Sequence, residues 1–170
     1  MKIFITGSNG LLGQKLLNKL QSNILFHLIA SSKGESRVKN KFNYKYYDLD
    51  ITDKLAVSEL ICDVRPDVVI NTAAMTNVDL CEEQREKCDD LNIKAVEYLA
   101  DICLEIDAHL IHISTDFIFD GKSGPYKEDD QPNPLSYYGL SKLKSEKIIN
   151  NHKVKSTILR TIVSVSYTHL

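Results

Sequence analysis

The sequence predicts an α/β fold, a doubly wound Rossmann-type parallel sheet with strand order 3-2-1-4-5-6. Three observations carry this. Short apolar runs rich in β-branched residues alternate with segments whose apolar residues recur at helical spacing. Those runs lack polar–apolar alternation, so both faces of each strand are buried, as in a parallel sheet with helices on either side. The stretch GSNGLLG, with glycines at 7, 10 and 13, stands between the first strand and the first helix.

The elements follow in order. Lys2 to Thr6 is the first strand, and Gly13, Leu16, Leu17 and Leu20 share one face of the helix after it. Leu25 to Ala30 is the second strand, ended by the polar SSKGES, and Tyr44 to Tyr47 is a shorter third. Thr52 is placed to cap a helix whose inner face is Val57, Leu60, Ile61 and Val64. Pro66 introduces a fourth strand, Asp67 to Asn71. A helix covers at least Asp90 to Leu104, with Val96, Leu99, Ala100 and Cys103 inward. His109 to Ser114 is the fifth strand. Tyr126 to Pro134, with Pro125 beside it, is a polar loop. Ser136 to Asn150 is a helix, and Thr157 to Thr161 begins a sixth strand. Right-handed crossovers place a ligand at the carboxyl ends of the strands, where the order reverses beside the first.

Composition excludes several classes. The chain has 170 residues, 43% of them hydrophobic, enough for one domain with a core, and a net charge of −2. Its lysines and arginines form no basic stripe, so no nucleic-acid partner is expected. No apolar run approaches the roughly 20 residues of a membrane span. The apolar run ending at Gly7 is too short for a signal-peptide core, so a cytoplasmic location is expected. Cys62, Cys81, Cys88 and Cys103 form no CxxC pair and read as reduced packing thiols.

The glycine stretch has the chemistry of a dinucleotide turn. The first glycine allows the tight turn, the second lets backbone approach a pyrophosphate, and the third lets helix and sheet pack closely. The helix N-terminus then offers free N–H groups to phosphate. Gly7, Asn9, Gly10, Leu11 and Leu12 are the candidate contacts there. The spacing is GxxGxxG rather than GxGxxG. At the end of the second strand, Ser31, Ser32 and Lys33 stand where an NAD site usually has a carboxylate. Ser32 and Lys33 suit a 2′-phosphate and hence NADPH, with NADH as the alternative; a solvated turn is the bland reading. Asp50 and Ile51 are placed to flank an adenine, although Asp48 and Asp50 also suit a turn.

A second constellation is YYGLSK, which puts Tyr138 and Lys142 on one helix face. A phenol is a poor acid–base group at neutral pH, and a nearby ammonium would lower its pKa. Thr115, at the carboxyl edge of the fifth strand, could hydrogen-bond the same substrate carbonyl, with Ser114 as the alternative. Tyr137 is a decoy, since its partner four residues on is Ser141.

GSNGLLG, NTAAMTNVDLCE, STDFIFDGKSGPYKEDDQPNPLSYYGLSKLKSEK and ILRT together resemble the extended short-chain dehydrogenase/reductases, most of all the dTDP-4-dehydrorhamnose reductases. The resemblance runs to about Thr161 and is most specific from Ser114 to Glu146. It implies an NAD(P)H-dependent oxidoreductase that reduces the 4-keto group of a dTDP-linked 6-deoxysugar. It implies catalytic roles for Thr115, Tyr138 and Lys142, and a cofactor cleft lined by Asn71, Ala73 and Ala74. Tyr138 and Lys142 would also touch the cofactor. Asn92 falls where the family has a structural asparagine; a helix-surface asparagine is the equal reading. Magnesium is associated with the family, without ligands assignable here, and Glu128, Asp129 and Asp130 read as a solvated loop. A homodimer is left open. The same motifs suit two other readings, a nucleotide-binding regulatory subunit resembling that of methionine adenosyltransferase and a sugar-nucleotide epimerase or dehydratase.

The family's chains run well beyond 170 residues, and their later part supplies most of the substrate lobe. The expected division is therefore a dinucleotide-binding domain over 1–162 and a non-native or truncated tail over 163–170, with the substrate lobe largely missing. A genuine strand is the alternative for the tail, since Val163, Val165 and Tyr167 alternate.

Overall fold

The computed structural model describes residues 1–38 and 43–162. The expected division at residue 163 and the alternating tail lie outside them. The described strands are β1 (Lys2–Thr6), β2 (His27–Ser32), β3 (Tyr44–Asp48), β4 (Val68–Asn71), β5 (His109–Thr115) and β6 (Ser156–Thr161). They form one parallel sheet in the order β3-β2-β1-β4-β5-β6, as expected. The helices are α1 (Leu11–Leu20), α2 (Lys54–Val64), α3 (Val78–Glu83), α4 (Arg85–Asp89), α5 (Ala95–Glu105) and α6 (Tyr137–Asn151). No helix among the described residues is long and apolar enough to cross a membrane.

Apolar residues leave both sides of the sheet, and two cores result. Phe4, Ile29, Val69 and Leu110 meet Val57 and Ile61 of α2, Leu99 and Cys103 of α5 and Ile149 of α6. Ile3, Ile5, Leu28, Ala30 and Ile70 point the other way, onto Leu17 of α1. Each such side chain, fully buried, contributes roughly 1.5–3 kcal/mol.

Both ends of β2, which starts at His27 rather than Leu25, and the cap of α2 differ from expectation. β2 continues through Ser31 and Ser32, because the ladder to Tyr47 and Asp48 needs only backbone. The cap of α2 is Asp53, which accepts from the Ala56 N–H at 3.1 Å. Thr52 is held instead by Asp50, which accepts from both its hydroxyl and its N–H. The long helix begins well before Asp90, as α3 and α4, and Asp90–Lys94 forms a π-turn that leads into α5. Such a turn often marks a functional site.

Candidate active site

The glycine turn is built as its spacing requires. Gly7 has φ +66°, and a Cβ there would lie 2.6 Å from the Ala73 nitrogen. A Cβ on Gly13 would meet the Gly7 carbonyl oxygen at 2.5 Å and the Ser8 Cα at 2.6 Å. A Cβ on Gly10 would crowd the same oxygen at 3.2 Å. The first glycine thus allows the turn against the β4 loop, and the third lets α1 sit on it. Asp53, Asn77 and Ser136 cap α2, α3 and α6 with their side chains. Gly10 offers α1 no such cap, and its first turn holds no acidic residue. The N–H groups of α1 are left for an anion.

A cleft of about 700 Å³ runs from this turn across the strand ends. It brings together Gly7, Gly10, Ser32, Lys33, Asp50, Ile51, Ala73 and Ala74. A second cavity of about 590 Å³ shares Gly10, Ala73 and Ala74 and adds Leu11, Leu12, Tyr138 and Lys142. The two cavities make one continuous trough that joins the dinucleotide turn to the tyrosine–lysine pair. Four expected residues sit behind its surface, among them Asn71, which is 1% exposed and bonded to Thr6, Ala73 and His112. Asn9 ties the turn to the segment after β2, donating to the Glu35 carbonyl and accepting from the Arg37 N–H. Ser31 is fully buried, and its carbonyl receives the Ser8 N–H. Thr115 is 5% exposed, and its hydroxyl oxygen accepts from the Phe117 N–H at 3.2 Å.

The electrostatics differ from expectation at two places. Lys33 forms a 2.7 Å ion pair with Asp50, which raises the lysine's pKa and lowers the aspartate's. The two candidate cofactor residues therefore neutralise one another at the mouth of the cleft. At the other end, Lys142 does not lower the pKa of Tyr138. Burial raises the phenol, and the Thr115 hydroxyl draws it partly back. The Lys142 amine lies instead 3.0 Å from His112 Nε2. Burial pushes its pKa down to about 8, against the pull of Glu146 and Cys88.

Of the two readings of Asn92, the structural one fits: the residue is 1% exposed, not on the helix surface. It accepts from the Met75 N–H and donates to the Met75 carbonyl and the Ser141 hydroxyl. Ser141 in turn donates to the Tyr138 carbonyl. Gly139 is required because a Cβ would strike the Phe117 carbonyl. Tyr137 turns away to other partners: its phenol donates to Asp89 and its N–H to Glu82, fastening α6 to the helices beside it. Gln84, Lys87, Asp90 and Leu91 line the wide cavity beyond Ile51, without any motif to announce them.

Glu146, one turn beyond Lys142, is 2% exposed and accepts from Ser114 and Arg160, the latter at 2.8 Å. Arg160 also donates to the Glu128 carbonyl, anchoring the polar loop. Arg160→Met leaves a carboxylate buried without its cation, and removal of one such partner costs about 3 kcal/mol or more. Urea unfolding should show that loss as a lower midpoint with unchanged slope. Glu128 and Asp129 are exposed. Among the described residues no group of three or more His, Cys, Asp or Glu could hold a metal, so magnesium finds no evident site.

A family model described as the RmlD substrate binding domain matches residues 1–168. The chain belongs to this family. Among RmlD relatives, it is 37% identical over 161 residues to a dTDP-4-dehydrorhamnose reductase of Aggregatibacter actinomycetemcomitans, covering 94% of this chain and 50% of that one. It is 38% identical over 162 residues to methionine adenosyltransferase 2 subunit beta of Xenopus tropicalis, covering 95% and 46%. The crystal structure of the Bacillus anthracis dTDP-4-dehydrorhamnose reductase in complex with NADP superposes with a TM-score of 0.79 at 30% identity, covering 95% of this chain and 53% of that one. This RmlD-family chain thus spans about half the length of the relatives it matches.

Proposed function

We propose that residues 1–162 form the dinucleotide-binding domain of an NAD(P)H-dependent reductase acting on the 4-keto group of a dTDP-4-dehydro-6-deoxysugar. The observation that carries this is the shared trough: Tyr138 and Lys142 line the same cavity as Gly10 and Ala73. An acid and an amine are thus held within one cleft that starts at a phosphate turn. The residues fit a dinucleotide, since the uncapped α1 terminus and the Cβ-free approach at Gly7 leave backbone free for its phosphates. When bound, that group supplies hydride.

The chain's own residues supply the rest. The raised pKa of Tyr138 keeps the phenol protonated at neutral pH, ready to give its proton to an alkoxide developing on the sugar. Thr115, next to that phenol but behind the cavity wall, is the residue proposed to orient the carbonyl oxygen, with Ser114, which lines the cavity, as the alternative. Lys142 lies buried one helical turn behind. Lys33 is placed to hold a 2′-phosphate, for which it must exchange its Asp50 partner.

The test is turnover in the whole protein: NADPH oxidation that depends on the dTDP-4-keto-6-deoxysugar. Absence of that dependence would refute the reading. Lys33→Ala should weaken NADPH binding about fivefold and leave NADH binding unchanged, the size of one exposed ion pair. Fluorescence titration with both dinucleotides checks this, and equal losses for both would remove Lys33 from the phosphate site.

The 38% identity to a methionine adenosyltransferase regulatory subunit favours a second reading, a nucleotide-binding regulatory subunit. Under it, the protein co-purifies with a synthetase and shows no ketosugar turnover.

A further inference from the structure

The most deeply buried polar cluster outside the trough surface centres on His112, which is fully buried in β5. Its proton can be located from both sides. On one side, Asn71 Oδ1 accepts from the Thr6 hydroxyl at 2.6 Å and from the Ala73 N–H at 3.2 Å. The amide is therefore oriented with Nδ2 toward His112 Nδ1, 3.2 Å away. An amide nitrogen only donates, so Nδ1 accepts and carries no proton. On the other side, the Ser145 hydroxyl uses its proton on the Lys142 carbonyl at 2.7 Å. Its oxygen, 3.1 Å from His112 Nε2, can only accept there. The Asn71 side requires the proton on Nε2, and the Ser145 bond to the Lys142 carbonyl agrees with it.

Lys142 Nζ lies 3.0 Å from that same Nε2. An ammonium has three donors and no acceptor, so it would face an N–H with an N–H. A neutral amine has a lone pair and can share the single Nε2 proton with the Ser145 oxygen. Among the described residues, His112 is the hydrogen-bond partner recorded for Nζ, and Lys142 is 2% exposed.

We infer that His112 is a positioning residue for Lys142: with its tautomer set by Asn71 and Ser145, it presents Nε2–H rather than a lone pair to the amine and so lowers the pH at which Lys142 gives up its proton while the trough is empty. Other groups bear on the lysine. Glu146, from its own helix, and Cys88, from α4, both favour its charged form. Glu146 is already committed to Arg160 of β6 and Ser114 of β5. Burial favours the uncharged form and lowers the lysine to about 8. Burial and the nearby Lys142 likewise hold His112 well below its ordinary value, so the imidazole is neutral. Acceptors entering the trough and replacing His112 would move the lysine's midpoint back up. That meaning for the reaction rests on reading Lys142 as part of the reductase site.

The experiment uses the chain without ligand, so it does not depend on turnover. Nitrogen NMR of labelled histidine should show His112 as the neutral Nε2–H tautomer. A carbon-labelled lysine titration, assigned with Lys142→Arg, should place the Lys142 midpoint near 8. His112→Phe removes the donor and should raise that midpoint by roughly one unit, the scale of a single hydrogen bond. His112→Gln retains an N–H donor and should stay within about half a unit of the parent. The Nδ1–H tautomer would overturn the inference. So would a His112→Phe midpoint that falls or stays, because an imidazole accepting from an ammonium has the opposite sign. Equal shifts in the two variants would also overturn it. If His112→Phe does not fold, the tautomer of the parent chain decides. Failure of any of these leaves the ketosugar assay untouched, and failure of that assay leaves the tautomer untouched.

Discussion

Tyr138→Phe is expected to lower kcat in the whole protein by at least about 100-fold, the lower range for loss of a positioned general acid. The substitution removes one oxygen and keeps the ring, so its packing against Phe117, with ring centroids 5.9 Å apart, should survive. The Tyr138 carbonyl keeps its bond from Ser141, so the first turn of α6 should not move. NADPH affinity should therefore stay within about twofold, well under 1 kcal/mol. Stopped-flow turnover and an equilibrium titration separate the two effects. A variant with unchanged kcat would remove the phenol from the chemistry. Tyr137→Phe serves as the contrast. It loses a bond to Asp89 and should cost about 1 kcal/mol of stability while sparing the rate.

Gly7→Ala is expected to be the more damaging change to binding. Two costs add at one position. A φ of +66° costs a side-chain-bearing residue about 1–2 kcal/mol. The new Cβ would also lie 2.6 and 2.7 Å from backbone atoms of Ala73, which cannot swing away as a side chain could. A backbone shift must follow, at a further cost of about 1–3 kcal/mol. The shift falls where β1 hands over to the turn, so NADPH affinity should drop by at least about 30-fold, some 2 kcal/mol. Gly34→Ala separates the two costs. Gly34 has φ +81° and nothing within 4 Å of a Cβ, so it should show the conformational cost alone. Equal losses of stability in the two variants would mean that the approach to Ala73 does not matter.

The contrast between what was legible and what was not follows sequence distance. Strand order, the glycine turn and the α6 pair are written in local patterns, namely apolar runs, glycine spacing and a tyrosine four residues before a lysine. The end of β2 misleads because Ser31 and Ser32 are polar, while a ladder needs only backbone partners. The α2 cap misleads because Thr52 and Asp53 are both competent, and Asp50 captures the first. The roles of His112, Glu146 and Asn92 are not readable locally because their partners lie 14 to 49 positions away. A local pattern cannot report a hydrogen bond of that span. The expected lowering of the Tyr138 pKa by Lys142 departs from the structure for the same reason. Their spacing places both at the trough, but the amine's direction is set by a histidine on β5.

Asn92 has a consequence for how the trough can respond to a ligand. Its single amide grips the Met75 backbone at both N–H and carbonyl and reaches Ser141 on α6. The floor beside the phosphate turn and the helix bearing the acid are thereby riveted at one point. Neither wall can open without pulling on the other, and no second rivet of this kind shares the load among the described hydrogen bonds to Met75. An adjustment made by a dinucleotide against Ala74 and Met75 would therefore be felt at Tyr138 as a displacement, carried through two side chains, Asn92 and Ser141.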